Sequence, residues 1–76
     1  MGVSSSKTLS SDMELFAAAL LQRKVSVWGR TADDSYVLLD AGGIIEKYSP
    51  DSVKIRFGPG ERREYYLRGE CEFRIE

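Results

Sequence analysis

Gly42-Gly43-Ile44-Ile45-Glu46-Lys47-Tyr48-Ser49-Pro50-Asp51-Ser52-Val53-Lys54-Ile55-Arg56-Phe57 is the stretch that decides the fold. Val53, Ile55 and Phe57 alternate strictly with Ser52, Lys54 and Arg56, the period-two pattern of a strand with one buried and one wet face. Ser49-Pro50-Asp51 turns the chain, because proline presets a turn dihedral and brings no N–H to a ladder. Before that turn, Tyr36 to Tyr48 is long and apolar, with Gly42-Gly43 at its centre, where missing side chains permit a sharp bend or bulge. We read it as one bent strand rather than two.

Downstream, Gly58-Pro59-Gly60-Glu61 is a turn, Arg63 to Arg68 a strand, and Cys71, Phe73 and Ile75 alternate with Glu70, Glu72, Arg74 and Glu76 in another. Upstream, Lys24 to Arg30 is a strand with Val25 and Val27 on one face, followed by the polar turn Thr31 to Ser35. Ahead of it, Ser11-Asp12-Met13-Glu14 has the form of a capping box and predicts a helix that starts there and ends near Arg23. Met13, Phe16, Ala17, Leu20 and Leu21 lie at helical spacing and predict the buried stripe of that helix. Residues 1–10 are serine-rich and read as a flexible arm, leaving 11–76 as a single domain. The expected class is α+β, mainly β: an N-terminal amphipathic helix on a strongly bent, five-stranded antiparallel sheet that curls into a small barrel to hide its edges. A hairpin sheet with an open edge is the alternative.

Seventy-six residues, 42% hydrophobic and 30% charged, make one globular domain near the lower size limit for a self-supporting core. That leaves no room for a deep substrate cleft. The apolar run Phe16 to Leu21 is six residues, against the ~18 that a bilayer requires. It carries no signal-peptide cleavage pattern, so a cytoplasmic setting is expected. Net charge is −1 and the pI about 5.4, which gives no bulk attraction to nucleic acid or acidic lipid. With no histidine and one cysteine, neither a metal site, a cofactor nor an internal disulfide is expected. Met1-Gly2-Val3-Ser4-Ser5-Ser6 fits an N-myristoylation pattern as well as a disordered start.

No catalytic constellation stands out, and an enzyme is not expected. Cys71 falls on the apolar side of its strand with no histidine to activate it, so it reads as a core residue. Asp33/Asp34 lie in a turn and Glu70/Glu72 on a wet strand face, which is ordinary surface charge. Phe57-Gly58-Pro59-Gly60 leads into a strand rather than a helix and so is a hairpin turn, not a phosphate cradle. Trp28 belongs on the polar face of its strand, as an interface contact or a lid over the helix. Lys47, Lys54, Arg56, Arg62, Arg63, Arg68 and Arg74 interleave with Tyr48, Tyr65 and Tyr66, the mixture single-stranded RNA recognition uses. Acidic residues from Asp51 to Glu76 interleave with them almost one for one, which a solvated strand face also produces.

Leu67-Arg68-Gly69-Glu70-Cys71-Glu72-Phe73-Arg74-Ile75 resembles the second motif of the Sm/LSm family, with an aliphatic residue, Arg-Gly, and alternating apolar positions. Gly43-Ile44-Ile45-Glu46-Lys47-Tyr48, followed by Val53 and Ile55, is similar to the first motif, and Leu15-Phe16 before Val25-Ser26-Val27 to the entry helix of the bacterial Hfq branch. The likeness spans residues 12 to 76. Ser49 stands where that family has an acidic residue, its Met-Asn pair is absent, and the Ser49 to Ser52 turn is one residue short. A fainter likeness to the YabP/YqfC sporulation proteins rests on Gly43 to Glu46 and Tyr48 to Arg56.

The Sm/LSm resemblance implies a homo-oligomeric ring in which each subunit adds an edge strand to the next. It further implies a shared central site for single-stranded RNA: Arg68 and Gly69 with Asp51 and Ser52 from the opposite turn, and Tyr48 or Tyr66 as stacking faces. The alternative is a structural or protein-interaction module of a phage, spore or other assembly with no nucleic-acid ligand.

Overall fold

The bend at the two glycines organises the sheet. The structure, a computed structural model, describes residues 7–76; the myristoylation pattern and the first part of the serine-rich arm lie outside those residues. The elements are β1 (Thr8–Leu9), α1 (Asp12–Leu20), β2 (Lys24–Arg30), β3 (Tyr36–Tyr48), β4 (Ser52–Phe57), β5 (Arg62–Leu67) and β6 (Cys71–Ile75). All six strands belong to one antiparallel sheet in the order β1-β6-β2-β3-β4-β5. Thirteen-residue β3 serves both halves of it, pairing with β2 from Tyr36 to Ile44 and with β4 from Gly43 to Tyr48.

At the crossover, Val25 faces Gly43 while Val27 faces Asp40, so β3 carries a surplus residue and bulges. Gly42 takes φ +74 there, a conformation L side chains rarely adopt. Gly43 is needed for a different reason: a Cβ on it would overlap the Ile55 methyl and the Phe57 ring. The bend lets the sheet wrap around Val25, Val27, Ile45, Val53 and Ile55, all almost fully buried. Its curl brings Tyr66 of β5 against Phe73 of β6, ring centroids 6.2 Å apart and nearly perpendicular, although three strands separate the two in the sheet order.

Four sequence expectations need correction. Among the described residues there are six strands, not five: Thr8–Leu9, in the stretch read as an arm, adds to the outer edge of β6 and plants the Leu9 side chain in the core. The sheet is not closed into a barrel, because β5 pairs on one side with β4 and is the last strand of the order. The helix stops at Leu20 rather than near Arg23; Leu21 caps it and Gln22 turns to φ +52. The capping box itself forms, with Ser11 accepting from the Glu14 N–H and Glu14 from the Ser11 N–H.

The fourth correction is rotation. Leu15 and Ala18 are the buried helix residues, while Met13, Leu20 and Leu21 are each about two-thirds exposed or more and Phe16 is half exposed. From Leu15 to Leu21 the helix is apolar on every side, so Leu15, Ala18 and Ala19 form a second stripe at the same spacing. That second stripe faces the sheet, and Glu14 beside it is tied to Ser10, Ser11 and Lys7.

Candidate functional site

Two turns, Ser49–Ser52 and Arg68–Glu70, meet at one end of the sheet because β4 and β5 pair in register from Ser52↔Leu67 onward. The Ser49 hydroxyl accepts from the N–H groups of Asp51 and Ser52, and the Ser49 N–H donates to the Ser52 carbonyl at 2.9 Å, so the first turn is held from within. The Arg68 N–H donates to the Asp51 carbonyl at 2.8 Å. The Arg68 guanidinium reaches back to the Ser49 carbonyl at 2.7 Å and to the Asp12 carboxylate at 2.8 Å, pinning the start of α1 to this end. Gly69 contributes its carbonyl to the Arg30 guanidinium at 2.9 Å.

Of the residues singled out in the sequence, Asp51, Ser52, Arg68 and Gly69 are therefore neighbours. Tyr48 and Tyr66 stand beside them on either side of Val53, in the register Tyr48↔Val53↔Tyr66. Both rings are half-buried and pack against the core. Burial pushes the Tyr66 phenol above its ordinary value, with the Asp40 and Glu64 carboxylates adding to the shift. Arg68 is committed to partners of its own chain and the carbonyls of Ser49, Asp51, Ser52, Gly69 and Glu70 accept internal hydrogen bonds, while the side chains of Asp51 and Glu70 are exposed.

Five more of the cations singled out in the sequence are occupied in the same way. Lys54, Arg56 and Arg63 converge on Glu46 at 3.8, 3.5 and 3.0 Å. The Arg63 hydrogen bond, then the three positive charges, hold the Glu46 carboxyl below the usual range. Arg62 bridges Asp40 and Glu64 and lies over the Phe57 ring. Trp28 is half-buried under the Arg74 guanidinium, which sits 4.2 Å from its ring centroid, and its indole N–H donates to the Ser26 hydroxyl at 2.9 Å. Cys71 is half-buried against the core, and burial raises its thiol pKa. Among the described residues no three of His, Cys, Asp and Glu converge as metal ligands, and no helix is long and apolar enough to cross a membrane.

Edge strands that join copies are expected from the Sm/LSm resemblance, but that expectation does not say which residues form the edge. Antiparallel bonds recur on every second residue, so the Arg68 N–H bond to Asp51 places Arg62, Glu64 and Tyr66 toward β4. The backbone groups of Arg63, Tyr65 and Leu67 are then left on the outer side of β5, where the Leu67 carbonyl accepts from the Glu70 N–H at 3.1 Å and the others have no strand beside them among the described residues. The side chains of Tyr65 and Leu67 are more than half exposed. The signal lay in Tyr65-Tyr66-Leu67, three consecutive bulky residues in a strand that can bury only every second one. Tyr36-Val37-Leu38-Leu39 at the start of β3 carries the same signal and is likewise exposed.

Comparisons of the chain with protein-family models, with curated proteins and with solved structures find no match.

Proposed function

We propose that this chain is a non-catalytic, Sm-like assembly module whose copies join by strand addition at the sheet edge and close into a homo-oligomeric ring. One observation carries the reading: β5 is a six-residue edge strand whose first half is charged (Arg62-Arg63-Glu64), while its second half, Tyr65-Tyr66-Leu67, has no proline, bulge or charge of its own and leaves the Tyr65 backbone groups and the Leu67 N–H without a partner among the described residues. Natural edges of that length are normally blunted by one of those devices, because an unguarded edge templates pairing with another chain. Head-to-tail addition around a rotation axis closes into a ring.

Single-stranded RNA is the ligand the resemblance implies for such a ring. The geometry favours assembly over it, because Arg68 would have to give up Asp12 and Ser49 to meet a phosphate. Sedimentation velocity on the purified chain tests assembly, and a strict monomer at every concentration removes the proposal. Titration with oligo-U and oligo-A at low salt tests the ligand: affinity lost in Arg68→Ala with assembly intact supports RNA, and no binding to either oligomer removes it.

A further inference from the structure

The two ends of the sheet are not equivalent, and on the assembly reading above the difference becomes a control. At one end no further strand among the described residues pairs with β5. At the other, β1 lies on β6, but it is two residues long against five in β6. It faces Arg74 with Thr8 and Phe73 with Leu9, and the Ile75 N–H donates to the Lys7 carbonyl at 2.8 Å. Beyond Leu9 the chain turns into the helix cap, so Cys71 and Glu72 have no β1 residue opposite them. A notch of about 200 Å³ opens there, lined by Ser10, Tyr36, Arg68, Cys71 and Glu72 among others.

We propose that β1 is an intramolecular edge cap that competes with β5 of a second copy for the outer edge of β6. The second copy is the fitting occupant on three counts. Its β5 is an uncovered strand of six residues, long enough for all five of β6. Every pair in this sheet is antiparallel, so a further antiparallel strand continues the same ladder. The notch at Cys71–Glu72 gives the incoming strand a start without any prior loss, after which it exchanges a two-residue ladder for a longer one as β1 leaves. The cap is held by the Leu9 side chain in the core, by the Lys7–Glu14 ion pair at 3.4 Å, and by Ser10 N–H donating to Glu14 at 2.9 Å. A cap closed nine-tenths of the time weakens the apparent affinity of the edge about tenfold, since only the open fraction binds.

A covalent lock tests this in the full chain. Because Lys7 and Ile75 are hydrogen-bonded, Thr8 and Arg74 form the narrow kind of antiparallel pair, with Cα atoms about 4.5 Å apart, within disulfide reach. In a Cys71→Ala background, Thr8→Cys with Arg74→Cys fastens β1 to β6 on oxidation and frees it on reduction. Sedimentation velocity over a concentration series should show the oxidised protein monomeric and the reduced protein assembling. Leu9→Ala, which loosens the cap without touching β6, should assemble at roughly tenfold lower concentration than the unaltered chain.

Oxidised protein that assembles as readily as reduced overturns the cap, as does Leu9→Ala assembling no better than the unaltered chain. If no form associates at all, the assembly reading falls and takes the cap with it. If the oxidised form assembles and Tyr65→Pro still blocks it, strand addition stands and the cap alone is wrong.

Discussion

The outer sides of β5 and β6 are the two ends of one curled sheet, and they are finished differently. Over β6, Leu9 is 7% exposed and its strand takes up backbone groups of Phe73 to Ile75; on β5, Leu67 is 52% exposed and no strand among the described residues pairs with the outer side, where only the Leu67 carbonyl is taken, by the Glu70 N–H of the following turn. The difference teaches that a short chain can curl far enough to bring its end strands into side-chain contact, as Tyr66 and Phe73 show, without closing the ladder between them. What would have been a barrel seam is instead one guarded edge and one open edge.

That contrast can be broken most severely at Gly43, which sets the curl that both edges share. Gly43→Val pushes a branched side chain into the Ile55 methyl and the Phe57 ring and should lower stability by about 3 kcal/mol in urea unfolding. An unchanged midpoint would mean that the bend does not depend on that close approach. Leu9→Ala against Leu67→Ala sharpens the comparison directly. The first deletes a buried side chain and should cost about 2 kcal/mol, at the low end because a terminal strand can yield; the second, on the open edge, should stay within about 0.5 kcal/mol. Equal costs would erase the distinction between the edges.

Ser11→Ala removes the hydroxyl that caps α1 beside β1, and a loss of about 1 kcal/mol is expected from thermal unfolding. Acid should act on the same side of the molecule. The N–H groups of Ser10 and Ser11, with smaller help from Lys7, hold the Glu14 carboxyl at about 2 against an ordinary 4.5. A depressed carboxyl stabilises the fold above its unfolded value, and that contribution is lost as pH falls from about 4.5 toward about 2. Amide exchange at Ser10 and Ser11, corrected for its intrinsic pH dependence, should lose protection in that window before the amides of β4 do; simultaneous loss would place the acid-sensitive contact elsewhere.

How much of this could be read in the residues follows from how local each feature is. β2, β4 and β6 were legible because period-two alternation is written residue by residue, β3 and β5 because polar turns bound them, and the bend because a glycine pair interrupts the long apolar run of β3. Helix rotation was not legible: with Leu15, Phe16, three alanines, Leu20 and Leu21 in one run, apolar spacing is satisfied by two stripes, and periodicity alone does not choose between them. Nor was β1, since Thr8-Leu9 between Lys7 and Ser10 carries no period and depends on an edge more than sixty residues away. The meeting of the Ser49–Ser52 and Arg68–Gly69 turns could be anticipated from the meander. The pairing of Arg68 with Asp12 could not, because it joins the helix start to a turn across the fold and changes what the turns can offer a ligand.

The central claim is that the bare side of β5 is where copies meet. Tyr65→Pro addresses it most directly: the Tyr65 backbone faces away from β4, so proline there removes no bond within the chain while blocking any strand that adds to it. Sedimentation velocity of the unaltered and Tyr65→Pro proteins, matched in concentration and checked for equal thermal stability, should show oligomer for the first and monomer for the second. Assembly that persists unchanged in a folded Tyr65→Pro protein would contradict the account.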